Sequence, residues 1–104
     1  MPLRVRLRAD LDAARRANDS ERVALIRTLI AAIDNAEAVD QQADSPAEVP
    51  RRRLSGNEIE RIVLREGAEL RTAAEDYELH GHTDEANRLR SLSFLADQYA
   101  EEMP

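Results

Sequence analysis

Residues 54–103 read LSGNEIERIVLREGAELRTAAEDYELHGHTDEANRLRSLSFLADQYAEEM, and they decide the fold. Ser55 and Glu58 have the spacing of a capping box, in which each side chain bonds to the backbone of the other residue. Leu54 and Ile59 flank this pair with the spacing of a hydrophobic staple, so a helix is predicted to begin here. Apolar residues continue one face of that helix; they are Ile59, Ile62, Val63, Leu70, Ala73, Ala74 and Tyr77.

Gly81 divides this stretch into two helices, predicted over 56–80 and 84–102. Glycine is the usual residue after a helix end, and Thr83 is the predicted cap of the next helix. A connection this short is typical of an antiparallel helical hairpin. Gly67 lies on the apolar face, and we expect it to let another helix approach closely. The stripe of the last helix comprises Ala86, Leu89, Leu92, Ala96, Tyr99 and Met103.

Two further helices are predicted before the hairpin, over 3–17 and 20–38. The opening LRVRLR also alternates as a strand would, but the continuation ADLDAARR favours a helix. Its apolar face comprises Leu3, Leu7, Leu11 and Ala14. Asn18, Asp19 and Ser20 interrupt the pattern with good capping residues. The stripe of the second helix comprises Val23, Ile26, Ile30 and Ile33, widened by Leu25, Leu29, Ala32 and Ala36.

Residues 39–54 lack helical periodicity and contain two prolines, so they are interpreted as a linker. The prediction is an all-α, four-helix domain over residues 1–104, with two N-terminal helices packed on a long C-terminal antiparallel hairpin. The linker ends in the basic triplet Arg51, Arg52 and Arg53. The triplet is a candidate contact for RNA phosphate or an acidic protein, although a solvated charge run is the favoured interpretation.

The composition excludes several classes of protein. The 104 residues carry a formal charge of -6, contain no cysteine and no lysine, and are only 3% aromatic. Disulfides and thiolate metal sites are therefore impossible, and an acidic chain is poorly suited to wrap nucleic acid. The charged N-terminus leaves no room for a signal peptide and no apolar run is long enough for a membrane span, so a cytoplasmic domain is expected. Leu, Ile, Val and Phe number only 23, which predicts a thin core that a second copy could complete.

Few side chains suggest chemistry. His80, His82 and Asp84 are weak candidates for a metal site, because His-x-His beside a carboxylate can bind a divalent ion. The same residues fit a solvated helix end, which is the favoured interpretation. Neighbouring carboxylates such as Glu66 and Glu69 are interpreted as an ion-paired helix face. Pairs four residues apart are expected for Arg65–Glu69, Arg71–Glu75 and Asp84–Arg88. No nucleophile motif or phosphate loop is present, so no catalytic or cofactor-binding residue is predicted.

The sequence resembles the YqeY-like (GatB/YqeY) family. Residues 7–19 and 22–37, LRADLDAARRAND and RVALIRTLIAAIDNAE, resemble the opening of that family. Residues 54–59, 70–77, 81–85 and 92–99 are similar to its later segments. The "YLP" ending of the family is altered here, because Ala100 follows Tyr99.

The resemblance implies a helical accessory module associated with tRNA-dependent amidation, without placing an active site in this chain. Family members continue into a second helical domain that is tied to tRNA binding, and this sequence does not include it. We therefore expect a protein partner or a homo-oligomer, and tRNA binding weakened by the acidic charge. The alternative is a homodimeric interaction domain with no role in tRNA chemistry.

Overall fold

The computed structural model describes residues 2–44 and 53–103, which form four α-helices and no strand. Helix α1 spans Leu3–Arg16, α2 spans Ser20–Asp44, α3 spans Gly56–Leu79 and α4 spans Thr83–Glu101. Helices α3 and α4 pack closely as a hairpin, α1 packs on α2, and α2 contacts both hairpin helices. The prediction of an all-α, four-helix arrangement is confirmed.

The main core lies where α1 and α2 meet the base of the hairpin. Its fully buried large side chains are Leu7, Ile26, Leu29, Ile33 and Val63. The four apolar residues predicted for the first helix are all buried, which confirms the helical interpretation of that segment. Ala74, Ala86 and Leu89 form a second, smaller cluster nearer the hairpin turn. The alanines there provide little apolar area, so the tip of the hairpin has a thinner core than its base.

The junction between α1 and α2 is closed by residues of the predicted break. Asn18 has a left-handed backbone with φ of 56°, a conformation that asparagine tolerates better than most residues. The Asp19 N–H donates to the Ala14 carbonyl at 3.0 Å, and the Asn18 N–H donates to the Arg15 carbonyl at 3.1 Å. The Asp19 carboxylate then accepts from the Arg22 N–H at 3.1 Å and caps α2.

The predicted capping box at the start of α3 is present. The Ser55 hydroxyl accepts from the Glu58 N–H, and the Glu58 carboxylate accepts from the Ser55 N–H, both at 3.2 Å. Leu54 and Ile59 pack against the main core. These bonds satisfy donors that the first turn of a helix leaves without intrahelical partners.

The hairpin turn is centred on Gly81, whose φ of +82° suits glycine. The His82 N–H donates to the Tyr77 carbonyl at 2.8 Å, and the Gly81 N–H donates to the Glu78 carbonyl at 3.0 Å. The predicted Thr83 cap is wrong, because these bonds reverse the chain within two residues. His82 therefore occupies the capping position, without a side-chain cap bond, and Thr83 is already the first residue of α4.

Two further predictions are corrected. Helix α2 continues to Asp44, six residues beyond the predicted end at residue 38. Residues 39–44 contain no glycine or proline and include good helix formers, so the helix continues through the first part of the predicted linker. The apolar stripe predicts Tyr77 on the buried face, but Tyr77 is 42% exposed and belongs to neither core cluster of the described residues.

Gly67 has the role that its position predicted. A Cβ atom at this position would lie 3.6 Å from the Ala96 Cβ and 2.5 Å from the Asp97 Oδ1. The Gly67 carbonyl also accepts a bond of 3.0 Å from the buried Ser93 hydroxyl. Helix α4 therefore crosses α3 closely at Gly67, which fixes the register of the two helices.

Candidate functional site

The proposed metal donors lie around the hairpin turn but do not converge. The His80 Nδ1 lies 2.8 Å from the Asp76 carbonyl oxygen, where it acts as a local cap of the helix end. The His82 ring meets Tyr77 edge to face, with 6.0 Å between ring centroids. Asp84 is exposed in the first turn of α4. Within residues 2–44 and 53–103, no three His, Cys, Asp or Glu side chains form a group that could hold a metal ion.

Of the basic triplet, only Arg53 lies within the described part of the chain. Arg51 and Arg52 lie outside the described residues, so their candidate contact with RNA or protein stays a prediction. Arg53 is exposed and precedes the capping box of α3. The part of the predicted linker between 45 and 52 also lies outside the described residues.

A polar cluster that the sequence analysis missed joins α1 to the end of α4. The Tyr99 hydroxyl donates to the Asp10 carboxylate at 2.6 Å, and the Arg6 guanidinium lies 5.0 Å from the centre of the Tyr99 ring. Arg6 also forms an ion pair with Glu102. Burial, together with the bond to Asp10, raises the pKa of the Tyr99 hydroxyl, so the hydroxyl stays a donor to a higher pH than that of an exposed tyrosine. This cluster holds α1 on the hairpin.

A second missed cluster centres on the buried carboxylate of Glu37. Glu37 is 4% exposed, pairs with Arg4 at 2.5 Å and accepts from the Leu54 N–H at 3.0 Å. Asp34 gives Arg4 a second carboxylate at 2.9 Å. Burial alone would lower the pKa of Arg4, but the two carboxylates outweigh this effect and raise it. The Glu37 cluster therefore ties α2 to the start of α1 and to the residue that precedes α3.

An apolar cleft of about 400 Å³ lies between the starts of α1 and α3 and the end of α4. Its lining residues are Pro2, Leu3, Arg6, Gly56, Ile59, Tyr99, Glu102 and Met103. Its two charged side chains, Arg6 and Glu102, neutralise each other, and the Tyr99 hydroxyl is already bonded to Asp10. None of the described lining residues therefore presents a free acid, base or nucleophile to a substrate.

Ion pairs on the hairpin join the two helices more often than predicted. Arg71 bonds to Asp97 at 2.5 Å and to the Ser93 hydroxyl at 3.0 Å, instead of pairing with Glu75. Arg88 pairs with Glu85 rather than Asp84, and it also approaches Glu21 of α2. Because the two helices cross closely, arginines and carboxylates on α3 reach oppositely charged residues on α4. The predicted pairs were based on a spacing of four residues within one helix, and this spacing cannot predict pairs between helices.

The exposed apolar residues are concentrated on the hairpin. Among the described residues, the large hydrophobic side chains that are exposed are Val5, Leu64, Tyr77, Leu79 and Phe94. Four of these five lie on α3 or α4. Leu79 is 83% exposed at the turn, and Phe94 is 64% exposed in the middle of α4. Exposed apolar side chains grouped on one element offer a contact surface to a binding partner.

No described helix contains a segment long and apolar enough to cross a membrane. Comparisons of the chain with protein-family models, with curated protein sequences and with solved structures give no match.

Proposed function

We propose that this chain is a non-catalytic interaction module of the YqeY-like kind, and that its α3–α4 hairpin is the binding element. The supporting observation is the exposure of Phe94 and Leu79 on a hairpin whose other faces bury the core. Partner-binding surfaces are enriched in aromatic side chains at their centres. The resemblance to YqeY-like proteins points to a partner among the proteins of tRNA-dependent amidation.

Site-specific photo-crosslinking in the native cell tests this proposal. A benzophenone amino acid replaces Phe94, and in the matched control it replaces Thr28, an exposed polar residue of α2. We expect a discrete protein adduct from position 94 and none from position 28. Equal adducts from both positions, or none from position 94, would contradict the assignment of Phe94 to the binding surface of the hairpin.

The branch of the proposal that involves tRNA is tested separately. The formal charge of -6 opposes binding to phosphate, so we expect no retardation of bulk tRNA on native gels. Retardation that weakens steeply as salt is raised would show that tRNA, rather than a protein, is the partner.

The second candidate function is a homodimeric interaction domain. Leu64 and Phe94 are exposed on the hairpin, where the Arg71–Asp97 and Arg90–Glu78 pairs balance their own charges. A face with balanced charge can meet a copy of itself across a two-fold axis without repulsion. Sedimentation velocity at high micromolar concentration tests this candidate, and a monomer there excludes it.

A further inference from the structure

One face of α3 near the hairpin tip is apolar and is only partly covered by the described part of the chain. Glu66, Leu70, Ala73 and Tyr77 follow one another at intervals of four, three and four residues, so they lie on the same side of the helix. We call these four residues the Tyr77 face. Leu70 and Ala73 are half-buried, whereas Tyr77 is 42% exposed.

The Tyr77 face borders the face of α3 that packs on α4, because Leu70 and Ala73 pack against the cluster of Ala74, Ala86 and Leu89. Arg71 and Glu78 reach across to Asp97 and Arg90 of α4, and Ala74 is fully buried in the tip cluster. Ala73 and Tyr77 lie to one side of these residues on the helical surface.

A cavity of about 310 Å³ opens at the tip end of the Tyr77 face. Its lining residues are Ala73, Asp76, Tyr77, His80 and His82. The edge-to-face contact between Tyr77 and His82 forms one wall of the cavity. The volume lies at the lower end of the range typical of ligand pockets, about 300–1,000 Å³. A cavity lined by an aromatic ring suits an apolar side chain that projects from a partner.

The charge beside this apolar face is mainly negative. Glu66 is half-buried and has no hydrogen bond or ion pair within the described part of the chain. Burial raises the pKa of its carboxyl group, Glu69 adds to this effect, and the positive charge of Arg65 partly opposes it. Glu69 and Asp76 are exposed on the same side of α3. By contrast, Arg71 and Arg90 pair with carboxylates elsewhere on the hairpin.

We propose that the Tyr77 face binds an amphipathic helix of a protein partner, one that carries arginine or lysine beside its apolar side chains. This inference rests on the proposed function, and it specifies the chemistry of the partner. Apolar side chains of the partner pack on Leu70, Ala73 and Tyr77, and a basic side chain pairs with Glu66. The carboxylates repel RNA phosphate and anionic lipid, so charge complementarity selects a basic peptide.

Titration calorimetry with a synthetic peptide tests the proposal. The probe is a helical peptide of about 18 residues, or five turns, with leucine on one face and arginine along its borders. A control peptide has glutamate in place of each arginine. We expect the arginine peptide to bind and the glutamate peptide to bind at least about tenfold more weakly. Absence of binding by the arginine peptide, or equal binding by the two, overturns the proposal.

Variants of the chain establish where the peptide binds. Tyr77→Ala is expected to weaken binding about tenfold and Glu66→Gln about threefold or more, as for a central aromatic contact and a partly buried charge. Glu75→Gln is the matched control, because it removes the same charge from the opposite side of α3. Equal losses from Glu66→Gln and Glu75→Gln would show non-specific attraction and overturn the proposal. Circular dichroism verifies that each variant remains helical.

The proposed function can hold even if this inference fails. If the Phe94 photo-adduct forms in cells but Tyr77→Ala neither weakens that adduct nor affects the peptide, the hairpin binds its partner through another face. If the peptide binds the Tyr77 face but position 94 gives no adduct, the inference stands and the assignment of Phe94 fails.

Discussion

Removing the Glu37 carboxylate should be among the most destabilising single changes to a charged residue in this chain. Glu37→Ala leaves the Leu54 N–H without its acceptor and deprives Arg4 of one of its two carboxylates. The side chain of Glu37 is 5% exposed and that of Arg4 is 21% exposed, so water replaces these contacts poorly.

The magnitude follows from the two losses. A fully buried donor that loses its acceptor costs about 1–3 kcal/mol, and the part-buried Leu54 N–H belongs at the lower end of that range. Breaking a fully buried ion pair costs about 3–5 kcal/mol. Arg4 keeps Asp34 at 2.9 Å and remains partly solvated, so the ion-pair loss falls well below that range. We therefore expect the free energy of unfolding to fall by about 2–3 kcal/mol, and Tm to fall by roughly 10–20 °C for a chain of this size.

Urea unfolding followed by circular dichroism at 222 nm measures this change. Asp34→Ala is the matched control, because its side chain is 44% exposed and its pair with Arg4 should contribute less than about 1 kcal/mol. Adding Arg4→Ala completes a double-mutant cycle for the Arg4–Glu37 pair. A loss below about 1 kcal/mol for Glu37→Ala, or equal losses for the two carboxylates, would refute the claim that burial determines the difference.

Three further changes test other contacts of the fold. Tyr99→Phe should lower the free energy of unfolding by about 1 kcal/mol, because the bond to Asp10 is lost. In a separate Tyr77→Phe variant, Tyr99 is the remaining tyrosine, and its hydroxyl should resist ionisation at pH 10–11, as measured by absorbance near 295 nm. Because folding raises the pKa of Tyr99, the stability that this hydroxyl contributes is complete below about pH 10 and is lost as the pH rises further. Ionisation of Tyr99 at or below pH 10 in the folded chain would contradict its burial and its bond to Asp10. Gly67→Ala should be neutral or destabilising, because the new Cβ atom meets the Asp97 carboxylate. In an Asp97→Ala background, Gly67→Ala should instead stabilise the chain against thermal unfolding by up to about 1 kcal/mol. An effect of the same sign in both backgrounds would exclude the steric explanation. Asn18→Gly should match or exceed the wild-type Tm, whereas Asn18→Ala should lower it, because only the alanine is strained at φ of 56°.

The parts of the fold that the sequence predicted depend on neighbours within a few residues. Ser55 and Glu58 form their capping box within a single turn, and Gly81 closes its turn with bonds that span at most five residues. The stripe of α1 follows from the helical period alone. Such features can be inferred before any tertiary contact is known, which is why all four helices were predicted. Their bounds were also close, except at the end of α2.

The missed clusters join residues that are far apart in the chain. The Tyr99 hydroxyl meets Asp10 across 89 positions, and Glu37 meets the Leu54 N–H across 17. Glu37 belongs to a helix with several charged residues, and only the tertiary fold brings its partners Arg4 and Leu54 to it. One signal was available, since Glu37 lies four residues after the core residue Ile33 and thus on the buried side of α2.

The metal candidates show a different limitation of local sequence patterns: their spacing suggested a metal site, but their side chains do not converge. His80, His82 and Asp84 are close in sequence, but the turn at Gly81 directs His80 to the end of α3 and His82 to the Tyr77 ring. The direction of a side chain at a helix end depends on the backbone conformation of the turn. The spacing of residues in the sequence does not specify that conformation.

The half-buried carboxylate of Glu66 should trade stability against binding. The folded chain holds this carboxyl group half-buried beside Glu69, and its pKa is therefore raised above that of the unfolded chain. Near that pKa the folded state binds more protons, so the stability that Glu66 contributes is present at low pH and is lost as pH rises. Glu66→Gln removes the charge while keeping the shape, and it should raise the free energy of unfolding at pH 7 by a few tenths of a kcal/mol. The same change should weaken the basic peptide. Paired urea unfolding and peptide titration of this variant measure both effects, and a loss of stability would contradict the view that Glu66 awaits a cation from outside the chain.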